Sequence, residues 1–177
     1  MKRFTVAACA LTLFAAGCDE KLNPVAPTAG QVTLASQLSG AANVPPASSL
    51  EAGSAGTLSV TMTPAAAGAY TASFSFQIGG LVKAGVLPAP LDSGSVILAG
   101  YVHQGAPGTV GPPVVQLPIS LQAPIVSPTG SVVLTISNVP VSAAAATAIL
   151  ANPSAFYFNM YSALNQNGVV RGQLAKQ

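Results

Sequence analysis

The stretch AYTASFSFQI, residues 69–78, alternates without a break. Tyr70, Ala72, Phe74, Phe76 and Ile78 share one side of an extended chain, while Thr71, Ser73, Ser75 and Gln77 share the other. Successive strand side chains point to opposite faces, so this register describes one face in a core and one face in water. A wet face marks antiparallel sheet, because parallel sheets are covered on both sides. The chain is therefore read as all-β from this segment outward.

Leu58, Val60 and Met62 repeat the alternation just upstream, and TPAAAG (63–68) between the two runs is a hairpin loop. Val32, Leu34 and Leu38 suggest an opening strand. Further strands are expected at 95–103, 114–121, 131–137, 155–162 and 169–174. One segment reads differently. In SAAAATAILANP (142–153) Ser142 can cap a helix, the alanines favour it, and Asn152-Pro153 ends it. Asn167-Gly168 in the turn NQNG (165–168) is a strong hairpin signal of the type I′ kind. The expected architecture is an antiparallel β-sandwich or Greek-key barrel of about eight strands, with one short helix near 142–152.

Composition narrows the function classes. The chain has 177 residues, enough for one domain of ordinary size; half are hydrophobic, 6% are charged, and mean hydropathy is +0.57. A typical soluble domain carries about 25% charged residues, and a disordered chain more. Net charge is only +2, so no clustered Lys and Arg are available to neutralise a nucleic-acid backbone. From Gln31 to Gln177 the formal charges are Glu51, Lys83, Asp92, Arg171 and Lys176 alone.

The N-terminus reads as an address. Lys2 and Arg3 precede an apolar run, Phe4 to Ala16, that is too short for the roughly 20 residues of a membrane-spanning helix. Ala15, Ala16 and Gly17 lead into Cys18, which resembles a bacterial lipobox with Ala in place of the usual Leu. Cys9 falls within the segment that would be removed, leaving Cys18 as the one mature cysteine, and an acyl anchor would use it. The expected organisation is a lipoprotein signal peptide at 1–17, a lipidated Cys18 with a flexible tether to residue 30, and one β domain at 31–177. The expected location is the cell envelope, with the anchor in a bacterial membrane.

Three segments carry a family resemblance. They are LSGAANVPPASSLEAGSAG (38–56), AGYVHQGAPGTVGPPVVQL (99–117) and LANPSAFYFNMYSALNQNGVVRGQL (150–174). Together, in order and spacing, they resemble the CHRD domain, a module named after chordin and also found in bacterial exported proteins. Where that family has His-x-His, this chain has Tyr101-Val102-His103; where it has a third His, this chain has Tyr161; and Val170 replaces the acidic residue before Arg-Gly. Should the family fold set these strands side by side, Tyr101, His103, Asn159 and Tyr161 would form a cluster.

Several readings of that cluster stand. It can be a hydrogen-bonded, partly buried aromatic group, or a ligand-facing patch, because aromatic side chains suit recognition. A Cu or Zn site is the least favoured, since two phenols with pKa near 10 replace two imidazoles; no metal or cofactor is assigned. Arg171 can satisfy backbone carbonyls or tyrosine hydroxyls, or it can hold an anionic partner. Enzyme chemistry has few tools here. There is one His, the domain's carboxylates are Glu51 and Asp92, and no G-x-S-x-G elbow or phosphate-binding glycine loop occurs. The expectation is a non-enzymatic binding or envelope-structural module, anchored to the membrane through Cys18 and facing a protein or glycan partner. The rival expectations are a metal-binding protein and a subunit that self-associates through unpaired sheet edges.

Overall fold

The computed structural model describes residues 30–88 and 92–177; the signal peptide expected at 1–17, the lipidation expected at Cys18 and the tether expected up to residue 30 fall on residues before Gly30, outside the described ones. The described residues form ten strands in chain order: β1 (Val32–Ser39), β2 (Ala55–Pro64), β3 (Tyr70–Gly79), β4 (Ser95–Gln104), β5 (Pro113–Gln116), β6 (Ile125–Ser127), β7 (Val132–Val141), β8 (Phe156–Ser162), β9 (Val170–Gln173) and β10 (Ala175–Lys176). The helix α1 (Ala143–Ala151) lies between β7 and β8.

Every strand pairing is antiparallel, and the main path runs β5-β4-β8-β9-β1-β2-β3-β7. The two edge strands, β5 and β7, approach each other without a ladder between them, so the sheet is nearly closed into a barrel. Gln116, Leu117 and Pro118 face Asn138, Val139 and Pro140 across a hollow at this seam. Pro113 and Pro140 sit on the strands at the two edges, where a missing N–H costs no ladder bond.

The alternation in 70–78 sorts as the sequence predicts. Ala72, Phe74, Phe76 and Ile78 are buried, while Ser75 and Gln77 are exposed. Opposite them Leu58, Val60 and Met62 point inward, and Phe158 stacks against Phe76 with ring centroids 6.4 Å apart. One continuous apolar cluster fills the barrel.

The two ends are closed by different chemistry. At one end α1 buries Ala146 and Ile149 in the same cluster as Phe156. Ser142 caps it by accepting from the Ala145 N–H, and Asn152 follows its last turn. At the other end the segment between β1 and β2 folds inward and places Glu51 at 0% exposure. One Glu51 oxygen accepts from the Ser95 hydroxyl, and the other accepts from Ser162 Oγ at 2.5 Å and Asn165 Nδ2 at 2.6 Å. Burying a polar group is tolerated when its hydrogen-bonding capacity is met, and these donors meet it from β4, β8 and the following turn.

One expectation needs correction, and two features lay beyond what the pattern could specify. The strand expected at 114–121 stops at Gln116, because Pro118 has no N–H to offer and the chain then turns. β6, only three residues long between Pro124 and Pro128, carries too short a pattern for periodicity to reveal. The turn signalled by Asn167-Gly168 forms between β8 and β9, with only one of the two positive φ values that a type I′ turn needs. Gly168 N–H donates to the Asn165 carbonyl, and the positive φ falls on Gly168 itself. A Cβ there would lie 2.3 Å from Asn43 Oδ1 and 2.5 Å from Asn159 Oδ1, so glycine is required by both backbone and space.

Candidate functional site

β4 and β8 lie side by side, with Tyr101 opposite Asn159, His103 opposite Tyr157 and Ala99 opposite Tyr161. β9 continues the row, with Arg171 opposite Asn159 and Gln173 opposite Tyr157. Side chains alternate across each strand. Val102, Phe156, Phe158 and Met160 fill the barrel, so Tyr101, His103, Tyr157, Asn159, Tyr161, Arg171 and Gln173 share its outer face. The four residues expected to cluster, and Arg171 with them, are thereby brought to one surface.

They form a stack. Arg171 Cζ lies 3.5 Å from the centroid of the Tyr157 ring, a cation–π contact. His103 stacks on Tyr157, with centroids 4.9 Å apart and planes 5° from parallel. Tyr101 meets both His103 and Tyr161 edge-on, each at 5.7 Å. Tyr157, His103, Asn159 and Arg171 are buried, although they lie outside the barrel, while Tyr101 and Tyr161 remain half-exposed.

The loop 105–112, GAPGTVGP, covers the buried members, and they bind its backbone. Arg171 Nη2 donates to the Ala106 carbonyl at 3.0 Å, and Gln173 Nε2 donates to the Gly105 carbonyl at 2.6 Å and the Ser154 carbonyl at 2.9 Å. The Tyr157 hydroxyl accepts from the Gly111 N–H at 3.1 Å. His103 Nδ1 lies 2.8 Å from the Gly111 carbonyl. A carbonyl can only accept, so Nδ1 carries the hydrogen, and Nε2 of neutral His103 accepts from the Tyr161 hydroxyl at 2.9 Å. Four side chains thus hold one loop.

The electrostatics agree with that tautomer. Burial holds the His103 pKa below its ordinary value, and the nearby Arg171 charge lowers it further against the opposing pull of the Gly111 carbonyl. Burial likewise pushes the Tyr161 phenol above its ordinary value. An imidazole engaged at both nitrogens beside a protonated phenol is a poor donor set for Cu or Zn. Among the described residues no group of three or more His, Cys, Asp or Glu gathers in one place.

Sequence reasoning overlooked Tyr157, Gln173 and Glu51. Tyr157 was within reach of parity, because in FYFNMYS (156–162) Tyr157, Asn159 and Tyr161 alternate with Phe156, Phe158 and Met160. Glu51 was not, since its partners stand 44, 111 and 114 residues away in the chain.

Beside the stack, Gln37, Ala41, Ala42, Asn43, Val44, Pro107, Gly108, Arg171, Gly172 and Gln173 surround an open groove of about 380 Å³. Gly172 allows β9 to press against β1 here, because a Cβ would lie 2.2 Å from both the Gln37 carbonyl and Ser36 Oγ. The run Arg171-Gly172-Gln173 therefore presents its two polar side chains outward on a strand that only glycine lets sit so close.

No curated protein and no solved structure matches the chain significantly. A family model does: the CHRD domain matches residues 34–174, from the first core position of β1 to the residue that follows β9. That span covers the barrel, the stack and the loop held over it, and the chain belongs to the CHRD domain family.

Proposed function

We propose that this chain is a non-enzymatic binding module of the bacterial cell envelope, tethered through an acyl group on Cys18, and that the loop 105–112 is its recognition element. The carrying observation is the contrast within that loop. Its tip is open to solvent, with Val110 72% exposed, yet its backbone is fixed by His103, Tyr157, Arg171 and Gln173. A loop held in one conformation before its partner arrives loses less entropy on binding. Binding residues commonly sit on loops positioned by a rigid scaffold, and an aromatic platform beneath one is such a scaffold. The CHRD domain is not a known enzyme family, which fits a binding role.

The anchor and the address rest on the sequence of residues 1–18 alone. The test of the binding reading uses two equally exposed valines. A photoreactive amino acid is placed at Val110, or at Val133 on β7, which is also 72% exposed. The full chain is then irradiated in a native bacterial envelope. A discrete adduct from position 110 and none from 133 is expected. Adducts from 133 alone, or equal labelling from both, would place recognition elsewhere.

A further inference from the structure

Three of the chain's four tyrosines gather around its only histidine. Tyr157 stacks on His103, Tyr101 meets it edge-on, and the Tyr161 hydroxyl lies 2.9 Å from its Nε2. The fourth, Tyr70, stands apart on β3. Holding the loop 105–112 accounts for Tyr157 and for His103 Nδ1, which both engage Gly111. It does not account for the bond from Tyr161 to His103 Nε2, which touches no loop atom.

The phenols around His103 differ in how each would bear the loss of an electron. An oxidised phenol is a strong acid, so the electron leaves more readily where a base already holds the hydroxyl proton. Tyr161 meets that condition. With Nδ1–H donating to the Gly111 carbonyl, Nε2 presents its lone pair to the Tyr161 hydroxyl. Burial keeps His103 neutral and so able to accept, and even a buried imidazole is a far stronger base than an oxidised phenol. Tyr157 is placed for the opposite result. Arg171 Cζ lies 3.5 Å over its ring, and a fixed cation attracted by the ring electrons opposes their removal. The Tyr101 and Tyr70 hydroxyls have no hydrogen-bond partner among the described residues.

We propose that Tyr161 is a redox-active tyrosine, which yields one electron to a high-potential oxidant such as an oxygen-centred radical while its hydroxyl proton moves to His103 Nε2. The Tyr161 O–H bond breaks, an N–H bond forms on His103, and the oxidant is reduced by one electron. The phenoxyl oxygen then accepts a hydrogen bond from the imidazolium, which keeps the proton at hand for the return. Tyr161 is half-exposed, so an oxidant reaches it without displacing the loop. This activity is separate from recognition by the loop and needs no partner protein.

Purified full-length protein is oxidised with flash-generated tris(bipyridine)ruthenium(III) and freeze-quenched, and the tyrosyl radical is counted by electron paramagnetic resonance. Tyr161→Phe should cut the radical yield roughly tenfold, a fraction of what a positioned proton acceptor supplies. Tyr70→Phe, at a residue that is also half-exposed but lacks a base, should leave the yield unchanged. His103→Gln keeps an acceptor for the Tyr161 hydroxyl and removes the base. Radical formation should then slow roughly tenfold or more, and the high-field spectrum should lose the hydrogen bond from the imidazolium to the phenoxyl oxygen. Should that variant fail to fold, the two Phe variants decide alone. An undiminished yield in Tyr161→Phe, equal losses in Tyr161→Phe and Tyr70→Phe, or an unchanged rate in a folded His103→Gln would overturn the proposal.

Discussion

His103 is the only histidine in the chain, which makes its chemistry unusually easy to isolate. Folding lowers its pKa, chiefly through burial, so below the ordinary imidazole value of about 6.5 the unfolded chain binds a proton that the folded chain resists. The stability contribution is complete above that value and is lost as pH falls toward the folded pKa. Tm measured from pH 7.5 down to pH 5 should therefore decline, and His103→Gln should flatten the decline across that window. A slope unchanged in the variant would assign the effect to other groups. The same residue shows what single positions can conceal. The pattern Tyr101-Val102-His103 told which side chains shared a face, but not that the loop from Gly105 onward would return to bind them. That contact depends on a backbone path, and Gly and Pro residues permit many such paths.

Elements were legible where a period or a cap marked them. Phe74 and Phe76 fix the inward face of β3, and the Ser142 and Asn152 signals place α1 within a residue of where it lies. β6 escaped because three residues hold no period, and the expected end of β5 ran past Gln116 because Leu117 and Ile119 kept the alternation going after the ladder stopped. Both of those side chains are buried, so the pattern reported burial correctly and pairing incorrectly. α1 lends itself to a direct check. Its cap is one hydrogen bond from the Ala145 N–H to Ser142 Oγ at 3.2 Å, with no acidic residue in the first turn to share the load. Ser142→Ala should cost about 1 kcal/mol in a denaturant titration, with an unchanged m-value. A neutral result would mean that packing of Ala146 and Ile149, and not the cap, holds the helix against the barrel end.

At the scale of the whole molecule, closure is achieved in unlike ways around and along the barrel. Around it, β5 and β7 meet without a ladder; along it, an apolar helix seals one end and a polar network seals the other. Glu51 ties together β4, β8, the turn at Asn165 and the segment between β1 and β2. Asn165 Oδ1 then accepts from Ser48 N–H at 2.6 Å and Ser48 Oγ at 2.9 Å, which binds that segment a second time. Glu51→Gln keeps the shape but turns one acceptor into a donor facing donors. It should destabilise the fold by roughly 2–4 kcal/mol and lower Tm by roughly 5–15 °C. A shift within a degree of the parent would show that the network can rearrange around the amide.

The piece of chain that ends in Glu51 begins as Ala41–Val44, the wall of the Arg171 groove. Wall and plug are two ends of one short strut, riveted by Asn43 Nδ2 to the Gly40 carbonyl at the first end and by Ser54 Oγ to the Glu51 carbonyl at the second. One continuous run of chain thus supplies both the groove wall and the buried plug, so a deletion between Val44 and Glu51 would disturb the two together.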